Sequence, residues 1–149
     1  MIGTGRAARR ARHDPERNST AADLAALAAA VASAGLVPLL TGDAVADVPP
    51  GAVDLTLFWR DPVFGGPDQR RAQLQLFEHL RSAHGLVGQV GVTTAGMDGP
   101  ALMGLPTAYL TRAPNVRLRA WVGAVPGYRE LIQDDDLLAR VAATCASYA

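Results

Sequence analysis

Short apolar runs and amphipathic helical stretches alternate along this chain, most of them ended by glycine, and that alternation restricts the fold more than any other feature. The runs Leu36 to Asp43 ("LVPLLTGD"), Val53 to Trp59 ("VDLTLFW"), Leu86 to Val92 and Pro106 to Thr111 are short and bounded by turn residues, which predicts strands. Between them, Thr20 with Asp23 forms a capping-box pattern ahead of Leu24, Leu27, Ala28 and Val31, which share one helical face until Gly35. Asp68 stands where it can cap a second helix whose Ala72, Leu76, Phe77, Leu80 and Ala83 face inward until Gly85. A short helix near Asp98 to Met103 stops at Gly104, and Leu137, Leu138, Val141, Cys145 and Tyr148 line a terminal helix behind the acids Asp134, Asp135 and Asp136. Strands joined through helices predict right-handed crossovers, hence an α/β fold: a three-layer Rossmann-like domain with a mainly parallel sheet of about four strands.

The 149 residues are enough for one domain with its own core. Residues 1–18, "MIGTGRAARRARHDPERN", carry five arginines and no apolar period, so they read as a flexible arginine-rich arm, with residues 19–149 as the single domain. A parallel sheet of this type normally begins with a buried strand before its first helix. The arm offers no apolar run for one, which predicts an exposed first-strand position and with it a second reading of the chain. That reading is a non-catalytic or truncated module that associates with itself or with a partner chain through the open edge.

Composition removes several function classes. Basic and acidic residues balance at 14 each, so no net charge draws the chain to nucleic acid or to an anionic membrane. All the basic residues are arginine, which together with abundant alanine reads as the coding bias of a GC-rich, bacterial sequence rather than phosphate recognition. Cys145 is the one cysteine, so there is no intrachain disulfide or thiol pair for a metal. His13, His79 and His84 lack ligand spacing, and no metal site is expected. No apolar stretch is long enough to span a membrane and no signal-peptide pattern opens the chain, which makes the cytoplasm the default compartment. A nucleophile elbow, a Walker loop and the motif Gly-x-Gly-x-x-Gly are all missing.

Ligands in open α/β sheets bind beyond the carboxyl ends of the strands. Four places qualify: the Gly42–Asp43 turn, the loop from Trp59 to Asp68, the loop from Thr93 to Asp98, and the segment after Thr111. The third has the most to offer, because Thr93, Thr94 and Gly96 put two hydroxyls and an approachable backbone just ahead of a helix N-terminus suited to phosphate. Trp121 and Tyr128 in "WVGAVPGYREL" form either a wall for a base or sugar or, as a simpler account, a loop packed over the sheet edge.

The stretch "GVTTAGMDGPALMGLPTAYL" resembles the donor-binding, C-terminal half of glycosyltransferases of the GT-B fold. It shares a strand, a loop of small residues, an acid opening a short helix, and Gly-x-Pro before the next strand. The resemblance implies that Thr93, Thr94, Ala95 and Gly96 face a diphosphate, that Asp98 holds ribose or sugar hydroxyls, and that Gly104 and Pro106 are a structural pair. It also implies an arginine against the phosphates, for which Arg17 in "DPERNST" is the candidate. The family's acid is usually a glutamate five residues before the glycine, whereas Asp98 lies six before Gly104. The expected function is therefore binding of a nucleoside diphosphate sugar as donor substrate, with no other cofactor, in a chain that needs an acceptor-binding partner or half for transfer. A third reading, a nucleoside deoxyribosyltransferase-like enzyme with Asp98–Gly99 on a sugar hydroxyl, lacks its glutamate on the next helix.

Overall fold

The computed structural model describes residues 1–3, 19–62, 68–92 and 96–149. Among the described residues six strands form one parallel sheet in the order β3-β2-β1-β4-β5-β6, two more than the sequence predicts. They are β1 (Ile2–Gly3), β2 (Leu39–Thr41), β3 (Val53–Asp54), β4 (Gln89–Val92), β5 (Thr107–Thr111) and β6 (Tyr128–Ile132). The helices are α1 (Ala21–Ser33), α2 (Gln69–His84), α3 (Asp98–Leu102), α4 (Val116–Arg119) and α5 (Leu137–Ala146). This is the strand order of doubly wound Rossmann-type sheets, with helices on both faces.

The first strand corrects the sequence reading. Residues 1–18 are not one arm, because Ile2 and Gly3 pair with Leu40 and Thr41 on one side and with Val90 and Gly91 on the other. The first-strand position is thus filled, and the open edge invoked for self-association there does not exist. The Met1 carbonyl accepts from Val90 N–H at 2.7 Å, while the Met1 amine donates to the Gly88 carbonyl at 3.0 Å. Residues 4–18 lie outside the described residues.

The other departures have local causes. The run from Val53 to Trp59 leaves the sheet after Asp54, because Asp54 Oδ1 accepts from both the N–H and the hydroxyl of Thr56, at 2.8 and 2.6 Å. That side-chain turn starts a 3-10 helix over Thr56–Arg60 instead of continuing the strand. β6 escapes an apolar-run search because Arg129 and Glu130 interrupt it.

α1 begins as its sequence indicates. Thr20 Oγ1 accepts from Asp23 N–H at 3.1 Å, and the Asp23 carboxylate takes the Thr20 N–H and hydroxyl, each at 2.8 Å. α2 runs from behind Asp68 to Gly85, whose φ of 67° supplies the left-handed end, but Asp68 makes no side-chain cap bond. Of its expected inward residues Phe77 is buried, Ala72, Leu76 and Leu80 are half-buried, and Ala83 is exposed.

Side-chain alternation along the strands divides the core. Ile2, Leu40, Val90, Ala108, Leu110 and Leu131 point to the face where α1 and α5 pack on each other through Ala28, Val31, Val141 and Cys145. Such small side chains let the helices approach closely, as the alanine-rich composition anticipates. Tyr109 and Tyr128 point the other way, to a smaller cluster with Met97, Ala101 and Leu118 from the α3 and α4 side. Leu138, expected on the inner face of α5, is 43% exposed.

Ile2 is completely buried at the middle of the sheet. Ile2→Ala should cost about 2–5 kcal/mol in urea-monitored unfolding; a loss below about 0.5 kcal/mol would mean that β1 contributes nothing to the folded sheet.

Candidate functional site

The connections from β1 and β4 diverge. These strands are neighbours, yet β1 leads through α1 to β2 while β4 leads through α3 to β5, on the opposite side of the sheet. The reversal lies at the carboxyl ends of β1 and β4, the place where sheets of this order generally take ligands.

The site residues predicted from sequence fall in the two stretches of chain that follow these strands. Arg17 lies between β1 and α1, and Thr93, Thr94 and Ala95 directly follow β4; all four are outside the described residues. Gly96 is exposed in the turn before α3, and Asp98 is the half-buried first residue of α3. Gly104 ends α3 at φ 83°, and the Pro106 carbonyl accepts from Gln89 N–H at 2.8 Å, so both serve the crossover as expected. α3 has only five residues, about one and a half turns, and its dipole offers an anion much less than a full helix does. The 13-residue α1 is longer, but the capping box occupies its first turn and sets the Asp23 carboxylate there. A phosphate at these strand ends therefore needs arginine or loop backbone more than a helix end.

One buried side chain bonds to the residue just ahead of α3, and the sequence reading missed it. Gln89, at the opening of β4, is 2% exposed, and its Nε2 donates to the Met97 carbonyl at 2.7 Å and to Thr107 Oγ1 at 2.8 Å. Thr107 Oγ1 in turn donates to the Leu105 carbonyl at 2.8 Å. The signal available in the sequence was a lone amide inside an apolar strand, "LVGQVGV", since a buried polar group is stable only with partners.

Two cavities mark opposite edges of the sheet. A cleft of about 240 Å³ opens at the carboxyl edge, with Ser19 and Asp23 from the start of α1, Arg112 after β5, and Gln133 and Asp134 after β6. Arg112 is in the segment after Thr111, one of the four places selected from sequence, and the cleft's amide, carboxylates and guanidinium suit hydroxyl-rich ligands. A second cavity, about 460 Å³, lies at the amino edge among Met1, Leu39, Val53 and Leu80 and is mostly apolar. Among the described residues no group of histidine, cysteine or carboxylate side chains is arranged to hold a metal, and no helix is long and apolar enough to cross a membrane.

The aromatic pair expected either as a ligand wall or as packing is packing. Tyr128 is 3% exposed, with its ring 5.3 Å from Tyr109 and 5.5 Å from Trp121. Beside them Glu130 accepts from Asn115 N–H at 2.9 Å and from Arg119 Nε at 3.0 Å, fastening α4 to β6. Burial alone would raise the Glu130 pKa, but the Asn115 N–H and the Arg119 guanidinium outweigh it and hold the carboxyl below its ordinary value. Burial, then the adjacent Glu130 charge, pushes the Tyr109 hydroxyl well above the usual tyrosine range.

A carboxyl depressed by folding adds stability above its unfolded pKa and loses it as pH falls through the folded value. Glu130→Gln should therefore be less stable than the parent by about 1 kcal/mol at pH 7. In urea titrations that gap should close as pH drops below the ordinary value of 4.5. A gap independent of pH would show that the charge is not what holds α4.

No family model, curated protein or solved structure matches this chain, so the site is defined by its own geometry.

Proposed function

We propose that this chain is a glycosyltransferase-like domain that binds a nucleoside diphosphate sugar at the carboxyl ends of β1 and β4. The observation that carries the reading is the sheet order. In sequence, Arg17 follows one of the two strands flanking the reversal, and Thr93, Thr94, Gly96 and Asp98 follow the other. In this reading Arg17 opposes the diphosphate, Thr93, Thr94 and Gly96 offer hydroxyls and backbone to it, and Asp98 accepts hydrogen bonds from ribose or sugar hydroxyls. Catalysis proceeds by holding the donor and stabilising its leaving phosphate, and an acceptor-binding partner or domain completes the transfer.

Isothermal titration calorimetry against uridine, guanosine and thymidine diphosphate sugars tests the reading. Binding by the parent chain is expected, with Asp98→Ala weakening it at least tenfold while the circular dichroism spectrum stays unchanged. No heat of binding from the parent with any of these ligands would refute the assignment.

A further inference from the structure

We infer that Gln89 is the positioning residue of the candidate nucleotide-sugar site, its buried amide fixing the turn that carries Gly96 and Asp98. The inference rests on the functional reading above, but the contact itself is independent of it. Both Nε2 protons of Gln89 are used, one on the Met97 carbonyl at 2.7 Å and one on Thr107 Oγ1 at 2.8 Å. The Thr107 hydroxyl spends its own proton on the Leu105 carbonyl and so presents only a lone pair to the amide. The direction of the amide is thereby determined, since turning it over would set Oε1 against the carbonyl oxygen of Met97.

The two residues are register partners on adjacent strands, and Thr107 is completely buried, so water is excluded from the network. Its acceptors lie on the two sides of α3: Met97 immediately precedes Asp98, and Leu105 leads into β5. The whole crossover is thus referenced to one cross-strand pair. An apolar side chain of the kind found at Val90 and Val92 would fill the space. It would not specify where the Met97 carbonyl sits, whereas a hydrogen bond does.

Gln89→Met keeps the length and removes the donors, and Gln89→Glu places a carboxylate opposite the Met97 carbonyl. In the ligand-free protein, hydrogen exchange of residues 96–102 is expected to quicken at least tenfold in Gln89→Met, with β6 unchanged. Affinity for the nucleoside diphosphate sugar should fall about tenfold at a temperature where the variant is fully folded. For Gln89→Glu, affinity should recover toward the parent's as falling pH protonates the carboxyl, which then donates to Met97; the parent itself should not follow that profile. If Gln89→Met does not fold, Thr107→Val removes one acceptor and should give a smaller change of the same sign. Unchanged exchange at 96–102, or unchanged affinity in a folded variant, overturns the inference. A parent chain that binds no such sugar overturns the functional reading instead, and the exchange measurement still decides whether Gln89 holds the turn.

Discussion

Two residues of backbone join the halves of this sheet. Ile2 and Gly3 pair with β2 on one side and β4 on the other, so β2 and β3 lie to one side of them in the sheet and β4, β5 and β6 to the other. Without that pairing β2 and β4 would have no common neighbour, and the reversal of winding would have no location. The contact between residues 2 and 90 also closes most of the chain into one loop, an entropic cost that local elements do not bear. Complete burial of Ile2 among residues of α1, β2 and β4 offsets part of it.

Legibility followed the physics of each element. α1 was readable because a capping box, an apolar stripe and a closing glycine agree with one another, and β4 and β5 because each is a short, largely apolar run bounded by turn residues. β1 was not, because two residues ahead of an arginine-rich stretch carry no period; only the strands on either side of it define it. β6 was hidden for the opposite reason, since an edge strand tolerates Arg129 and Glu130 among its apolar residues. The candidate loops were found by position, at strand ends. Gln89 was not, because its role lies in a pairing with Thr107 that only the sheet register creates.

The two faces of the sheet are held in different ways. α1 and α5 are long enough to bury continuous apolar stripes, and small side chains bring them close together. α3 and α4, of five and four residues, have less area for that, and hydrogen bonds to buried side chains add to the apolar contacts of Met97, Ala101 and Leu118 with Tyr109 and Tyr128. Gln89 holds the start of α3, and Glu130 holds α4 through Asn115 and Arg119. Gly96 and Asp98 are presented from the α3 side, where a directional bond to the Met97 carbonyl acts together with the buried Met97 side chain.

Asp54 has an effect beyond ending a strand. By turning the chain through Thr56 after two paired residues, it leaves β3 with almost no free ladder at that rim of the sheet. Exposed ladders template the pairing of foreign strands, and a short one gives a growing aggregate little to copy. The opposite rim, β6, is longer but carries Arg129 and Glu130. A carboxylate that looks like a local turn device therefore also shortens the ladder that this rim offers to a foreign strand.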